Sequence, residues 1–192
     1  MRVRVYSEPG DLGSPPPPPT GNPFSNIVLY LEDAPALAAA TTATTRAQPE
    51  MRQHDERFTP HVLAVTTGTT IAFPNDDPIY HNVFSLSRAR TFDLGRYPQG
   101  ESKSLRFDHA GVVQVFCHIH ADMSGYILVQ PNRYFVSPDS TGRFVMDDIP
   151  PGQYLLVAWH ERIKPIVTPL RVSSGHTTTL DLSIPLTEPT RP

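Results

Sequence analysis

Cysteine is almost absent from this chain: of 192 residues, Cys117 is the only one. An internal disulfide is therefore excluded, and the lone thiol needs another reason, such as burial, catalysis or metal binding. Long apolar runs are missing too. None approaches the ~20 residues that span a bilayer, so no membrane span is expected. Positive charge is in short supply, with 16 Lys and Arg against 19 Asp and Glu and a formal net charge of −3. There is no basic stripe to neutralise phosphates, and no nucleic-acid partner is expected. The opening "MRVRVYSEPG" has charge but no following apolar stretch, so it does not read as a signal peptide. Nor is there a strong pattern for a long helix.

What is abundant is proline, 22 residues of it. Proline breaks helix interiors and central strands, so a loop-rich β protein is expected. The run "SPPPPPTGNP" at 14–23 reads as an extended, solvated spacer. "NIVLYLED" (26–33) alternates like a strand, whereas the Ala- and Thr-rich 34–49 reads equally as helix or irregular connection. From residue 58 a regular series of short strands begins: "HVLAVTTGTTIAFPN" as two runs joined at a glycine, "HNVFSLS", two more across "ESKSLRFDHAGVVQVFCHIH", and "SGYILVQ". A second series follows residue 131, with "RYFVS", "RFVM", "QYLLVAWH", "TPLRVSS" and "TTTLDLSIPL" read as strands. Short strands punctuated by Gly, Pro, Asn and Asp predict antiparallel sandwiches or barrels.

The densest chemistry lies in "VFCHIHADMSG" (115–125), where Cys117, His118, His120 and Met123 carry metal-binding atoms within seven residues. Singly, each reads as a core filler or a surface histidine. Together they form Cys-x₂-His-x₂-Met on a strand-loop-strand. Soft sulfur ligands suit copper(I) and imidazole suits both copper states; two His, one Cys and a weak axial Met describe a blue-copper site. The remaining ligand should be a histidine on a neighbouring strand, and His81 in "PIYHNVFS" fits. Alternation along a strand turns His118 to the side opposite Cys117, so His118 is read as a surface or interdomain residue. His54, His61, His109 and His176 lack ligand spacing and are expected at the surface. Trp159 is expected in a core, and His160 beside it in solvent.

Residues 57–130 resemble the cupredoxins, most closely the amicyanin and plastocyanin branch. The resemblance rests on "FTPHVLAVTTGTTIAFPNDD", "HNVFS", "GESKSLRFDHAGVVQVFC" and the ligand loop. It implies an all-β fold, a Greek-key barrel, holding one type 1 copper ion on His81, Cys117, His120 and Met123. It also implies that Asn82 ties the two ligand loops together near the thiolate. A histidine at 118 departs from that family's usual pattern. "SPDSTGRFVMDDIPPGQYLLVAWHE" is similar to transthyretin-like, carboxypeptidase regulatory-like modules, whose preceding strand here would be "VLYL" at 28–31. The expected organisation is a discontinuous β-sandwich of residues 1–34 and 132–188, with the copper domain, 48–131, inserted. In the alternative, 26–33 is the first strand of the copper barrel.

These readings imply a one-electron carrier and no enzyme, since no hydrolase-like catalytic pair is present. Its expected partner is a redox protein, a cytochrome or redox enzyme, meeting the edge of His120 through Pro78, Ile79 and Ala121. Such copper chemistry points to the periplasm or another exported location. Copper storage or delivery, and a copper-sensing interaction module, are the competing readings. With four methionines, two of them remote (Met1 and Met51), the chain is poor in delivery-type ligands.

Overall fold

The computed structural model describes residues 5–6, 24–35 and 48–185. The proline run at 14–23 and most of 34–49 lie outside the described residues. Among the described residues fifteen strands form, in chain order β1 (Val5–Tyr6), β2 (Val28–Glu32), β3 (Arg52–His54), β4 (Arg57–Thr59), β5 (Val62–Thr66), β6 (Thr69–Pro74), β7 (His81–Ser87) and β8 (Arg90–Tyr97). They continue with β9 (Ser102–Phe107), β10 (Gly111–Phe116), β11 (Ser124–Gln130), β12 (Phe135–Val136), β13 (Gly152–Trp159), β14 (Ile166–Val172) and β15 (Leu182–Ser183). The fold is all-β, and among the described residues no helix is long and apolar enough to cross a membrane. The chain divides into two compact units, one of the segments up to Ala34 and from Tyr134 onward, the other Pro35–Arg133.

In the Pro35–Arg133 unit a five-stranded sheet runs β5-β11-β10-β7-β8, parallel at β5–β11 and antiparallel elsewhere. The antiparallel pair β6–β9 supplies Ile71, Phe73 and Phe107 to the same core as Val83, Val113, Val115, Ile127 and Val129 of the larger sheet. The chain thus crosses between the sheets at β5–β6, β6–β7, β8–β9 and β9–β10, the crossings of a Greek-key barrel. Period-two alternation makes this possible. On β10, Val113 and Val115 are buried while Gln114 and Phe116 are only partly so, and continuing that parity turns Cys117 inward.

The other unit builds a four-stranded antiparallel sheet, β12-β2-β13-β14, and a short parallel pair, β1–β15. Its core gathers Ile27, Leu29, Leu31, Phe144, Leu156, Leu170 and Ile184. Here β2 lies between β12 and β13, paired on both edges.

Five features differ from the sequence reading. "RFVM" forms no ladder, although Phe144 and Met146 are buried and Val145 is exposed. Arg143 spends its N–H on Asp139 Oδ1 (3.0 Å) and its C=O on the Asp139 N–H (2.9 Å), a local turn instead of a partner strand. "TTTLDLSIPL" is a strand only at Leu182–Ser183. Three elements had not been anticipated: the short strand β1, the hairpin β3–β4, and β8 at the edge of the large sheet. β8 buries Tyr97 at its end, but along the rest of it half-buried Phe92 and Leu94 alternate with exposed Thr91, Asp93 and Gly95, so its apolar signal is weak.

Candidate metal centre

Two loops and two strand ends assemble the site. Cys117 follows β10 and leads into a tight loop closed by two hydrogen bonds, Cys117 N–H to Met123 O (3.2 Å) and Met123 N–H to His120 O (3.1 Å). His81 opens β7, which lies beside β10 with Phe84 opposite Phe116. Together these place Cys117 Sγ 3.8 Å from His81 Nδ1 and 3.8 Å from His120 Nδ1. The three donor atoms lie within 4.8 Å of one another. The His81 and His120 rings meet edge to face, 4.8 Å between centroids. His81 and Cys117 are buried, and His120 keeps about a fifth of its side chain exposed, at 21%. Met123 is buried in the same core cluster as Cys117.

The donor set fits a single metal ion. Nitrogen and thiolate donors at roughly 2.0–2.3 Å from a shared ion, spread at trigonal angles, stand about 3.7 Å apart. The two Sγ–Nδ1 separations match that spacing, and both imidazoles turn the same ring atom toward the thiol. One sulfur and two imidazole nitrogens, with a thioether buried nearby, are ligands for copper or zinc and ill suited to hard cations.

Groups around the donors fix their orientation. Asn82 Oδ1 accepts the backbone N–H of His118 (2.8 Å), and its Nδ2 donates to Asp93 Oδ1 (2.8 Å). Asp93 reaches Asn82 because β8 carries an extra residue between Asp93 and Arg96, where β7 carries only Val83 between Phe84 and Asn82. Gly95 absorbs that bulge with φ +67°, and its N–H also binds Asp93 Oδ1 (2.8 Å). His118 is half-exposed and stacks flat on Phe84, with ring centroids 3.7 Å apart, and its Nε2 stands 3.5 Å from Asp93 Oδ2.

Sequence reasoning missed Asp77. Its buried carboxylate sits 2.7 Å from His81 Nε2 and accepts the backbone N–H groups of Asp55 (2.7 Å) and Glu56 (2.9 Å). Burial alone would raise its pKa. The hydrogen bonds from Glu56 N–H, His81 and Asp55 N–H outweigh that and hold the carboxyl below its ordinary value. The only signal in the sequence was its position four residues before His81. His54, Asp55 and Asp77 form a second cluster of potential ligands, with His54 and Asp55 exposed. His160, expected in solvent, is buried, and its Nδ1 accepts the Arg162 N–H (3.1 Å).

No family model matches the chain, and no curated protein matches it. Among solved structures it is similar to a novel purple cupredoxin from Nitrosopumilus maritimus, at 23% identity and TM-score 0.39 over 44% of this chain and all of that one. It is also similar to an oxidised amicyanin carrying a methionine-to-leucine substitution, at 20% identity and TM-score 0.41 over 53% of this chain and 98% of that one. A reduced amicyanin with a proline-to-phenylalanine substitution stands at 22% identity, TM-score 0.41 and the same coverage.

Proposed function

We propose that His81, Cys117 and His120 hold one copper ion, with Met123 as a weak axial ligand, and that the protein is an exported one-electron carrier. The observation that carries this reading is the convergence of one thiol and two Nδ1 atoms at 3.8 Å in a pocket already built by the fold. Copper bound there would cycle between its two oxidation states, because thiolate and imidazole accommodate both. The chain's part is to keep the donors still. The loop is closed by its own backbone bonds, His81 is locked by Asp77, and the register of β7 against β10 is pinned through Asn82. A site that moves little on gaining an electron carries a small reorganisation cost.

The partner would be a cytochrome or redox enzyme docking at the exposed edge of His120. Exposed Ile79 and Ile119 adjoin the ligands in sequence and supply apolar contact of the kind small redox interfaces use. Delivery and storage are less well supported, since Met51 and Met146 are buried in the two separate cores and offer no open chain of sulfur ligands.

Copper titration tests the reading. Copper(II) should produce an intense visible thiolate-to-copper band, bleached reversibly by a reductant, at one ion per chain. In Cys117→Ser that band should vanish while the far-ultraviolet circular dichroism is unchanged. A Cys117→Ser protein that keeps the band would refute the assignment.

A further inference from the structure

We propose that Asp77 is the positioning residue of the site, a carboxylate that sets both the tautomer of His81 and the placement of the hairpin beside His120. The inference rests on the copper reading above and specifies how the chain tunes the ion.

An ionised carboxylate can only accept hydrogen bonds. Asp77 has three donors around it, the N–H groups of Asp55 and Glu56 and the ring of His81 at 2.7 Å. His81 Nε2 must therefore carry the proton, which leaves the Nδ1 lone pair directed toward Cys117 Sγ, 3.8 Å away. His81 is wholly buried and Asp77 nearly so, so water does not compete for either group. An anion on the far side of an imidazole makes the ring a stronger donor, and the more highly charged copper(II) gains more from that than copper(I).

The same carboxylate organises a second element. Asp55 (φ 52°) and Glu56 (φ 54°) both adopt the left-handed conformation without being glycine, which strains the backbone at both positions. Their two N–H bonds to Asp77 offset that strain and fix the tip of the β3–β4 hairpin. The fixed tip brings Glu56 Oε2 to 3.8 Å from His120 Nε2. One buried side chain thus governs the surroundings of both imidazoles from a turn, "PNDDP", that is itself held by Asn75. Asn75 Oδ1 accepts the Asp77 N–H (3.0 Å), and its Nδ2 donates to Ile79 O (2.9 Å) and Tyr97 O (3.1 Å).

The test compares the full chain and Asp77→Asn, each loaded with copper, by voltammetry and by competition titration of both oxidation states. The visible band should survive in Asp77→Asn, because Cys117 is intact. Copper(II) affinity should fall roughly 10–100-fold and copper(I) affinity less. The potential should rise by about 59 mV for each tenfold difference between those two losses. A purely structural role for Asp77 would weaken both states equally and leave the potential unmoved, and that result overturns the proposal. Should Asp77→Asn fail to fold, nitrogen-15 NMR of the copper(I)-loaded wild type decides. His81 Nε2 should carry a downfield, slowly exchanging proton; a rapidly exchanging or unprotonated Nε2 overturns the proposal. A wild-type chain with no thiolate band would refute the copper reading, and this inference with it. A blue wild type with an unshifted Asp77→Asn potential would refute this inference alone.

Discussion

Asn82 Oδ1 accepts a hydrogen bond from the backbone N–H of His118 at 2.8 Å, linking the start of β7 to the residue after Cys117. The two are 36 positions apart in sequence, and Asn82 is almost completely buried. Replacing Asn82 with leucine would leave that N–H without its partner and release Asp93 from Nδ2. A loss of about 1–3 kcal/mol is expected. Urea unfolding of the full chain measures the loss, and a displaced thiolate band in the copper-loaded variant reports the loosened loop. An unchanged midpoint would show that the bond is dispensable.

His118→Ala should separate packing from metal binding. The imidazole lies on Phe84 with planes 3° apart and stays half-exposed. Its removal should cost about 0.5–1.5 kcal/mol of stability and leave the visible spectrum almost unaltered. Bleaching instead would mean that His118 is a ligand and that the loop register proposed here is wrong.

Met123 should govern potential more than affinity, because an axial thioether is a weak, long ligand. Glutamine offers a harder oxygen that stabilises copper(II), so its potential should fall below wild type. Leucine removes the donor from a site where Met123 is already buried, and its potential should rise. Voltammetry on the three proteins checks the order, and identical potentials would remove Met123 from the ligand set.

The strand β2 lies between β12 and β13 and pairs with Trp159 through Leu155 along β13. A fragment of residues 132–192 lacks that strand and should show no cooperative unfolding. Residues 48–131, which contain the five-stranded sheet, the β6–β9 pair and the β3–β4 hairpin of the other unit, should fold alone and take up copper. Cooperative melting of the 132–192 fragment by itself would contradict the discontinuous organisation.

Asp139 should give the sandwich an acid-sensitive turn. Its carboxylate accepts from Thr141 Oγ1 (2.7 Å), the Arg143 N–H (3.0 Å) and the Thr141 N–H (2.8 Å), which hold its pKa below the ordinary value. A depressed folded-state pKa contributes stability above the unfolded value and loses it as pH falls through the folded one. Asp139→Asn should therefore melt below wild type at neutral pH, the gap closing as pH drops below the usual carboxylate range. A gap that does not change with pH would show that the charge of Asp139 does not contribute.

Local pattern was enough to establish much of this molecule. Alternation over "GVVQVFC" made β10 a strand and turned Cys117 inward, and the spacing of Cys117, His120 and Met123 singled out the loop, because both depend on neighbours a few residues apart. β8 escaped notice because, before Tyr97 at its end, this edge strand turns only half-buried Phe92 and Leu94 to the core, so its polar residues dilute the period. The β3–β4 turn was equally hidden, since Asp55 and Glu56 adopt left-handed backbone without the glycine that normally marks it. What holds that turn is Asp77, over twenty residues away in sequence. Composition and periodicity determined that the chain is all-β, and motif spacing determined where its candidate ligand atoms lie. Which nitrogen of His81 faces Cys117, which carboxylate stands behind it and which hairpin closes beside His120 were decided only in three dimensions. Hydrogen bonds between buried groups far apart in sequence leave no period to read, and they take effect only once the sheets have packed.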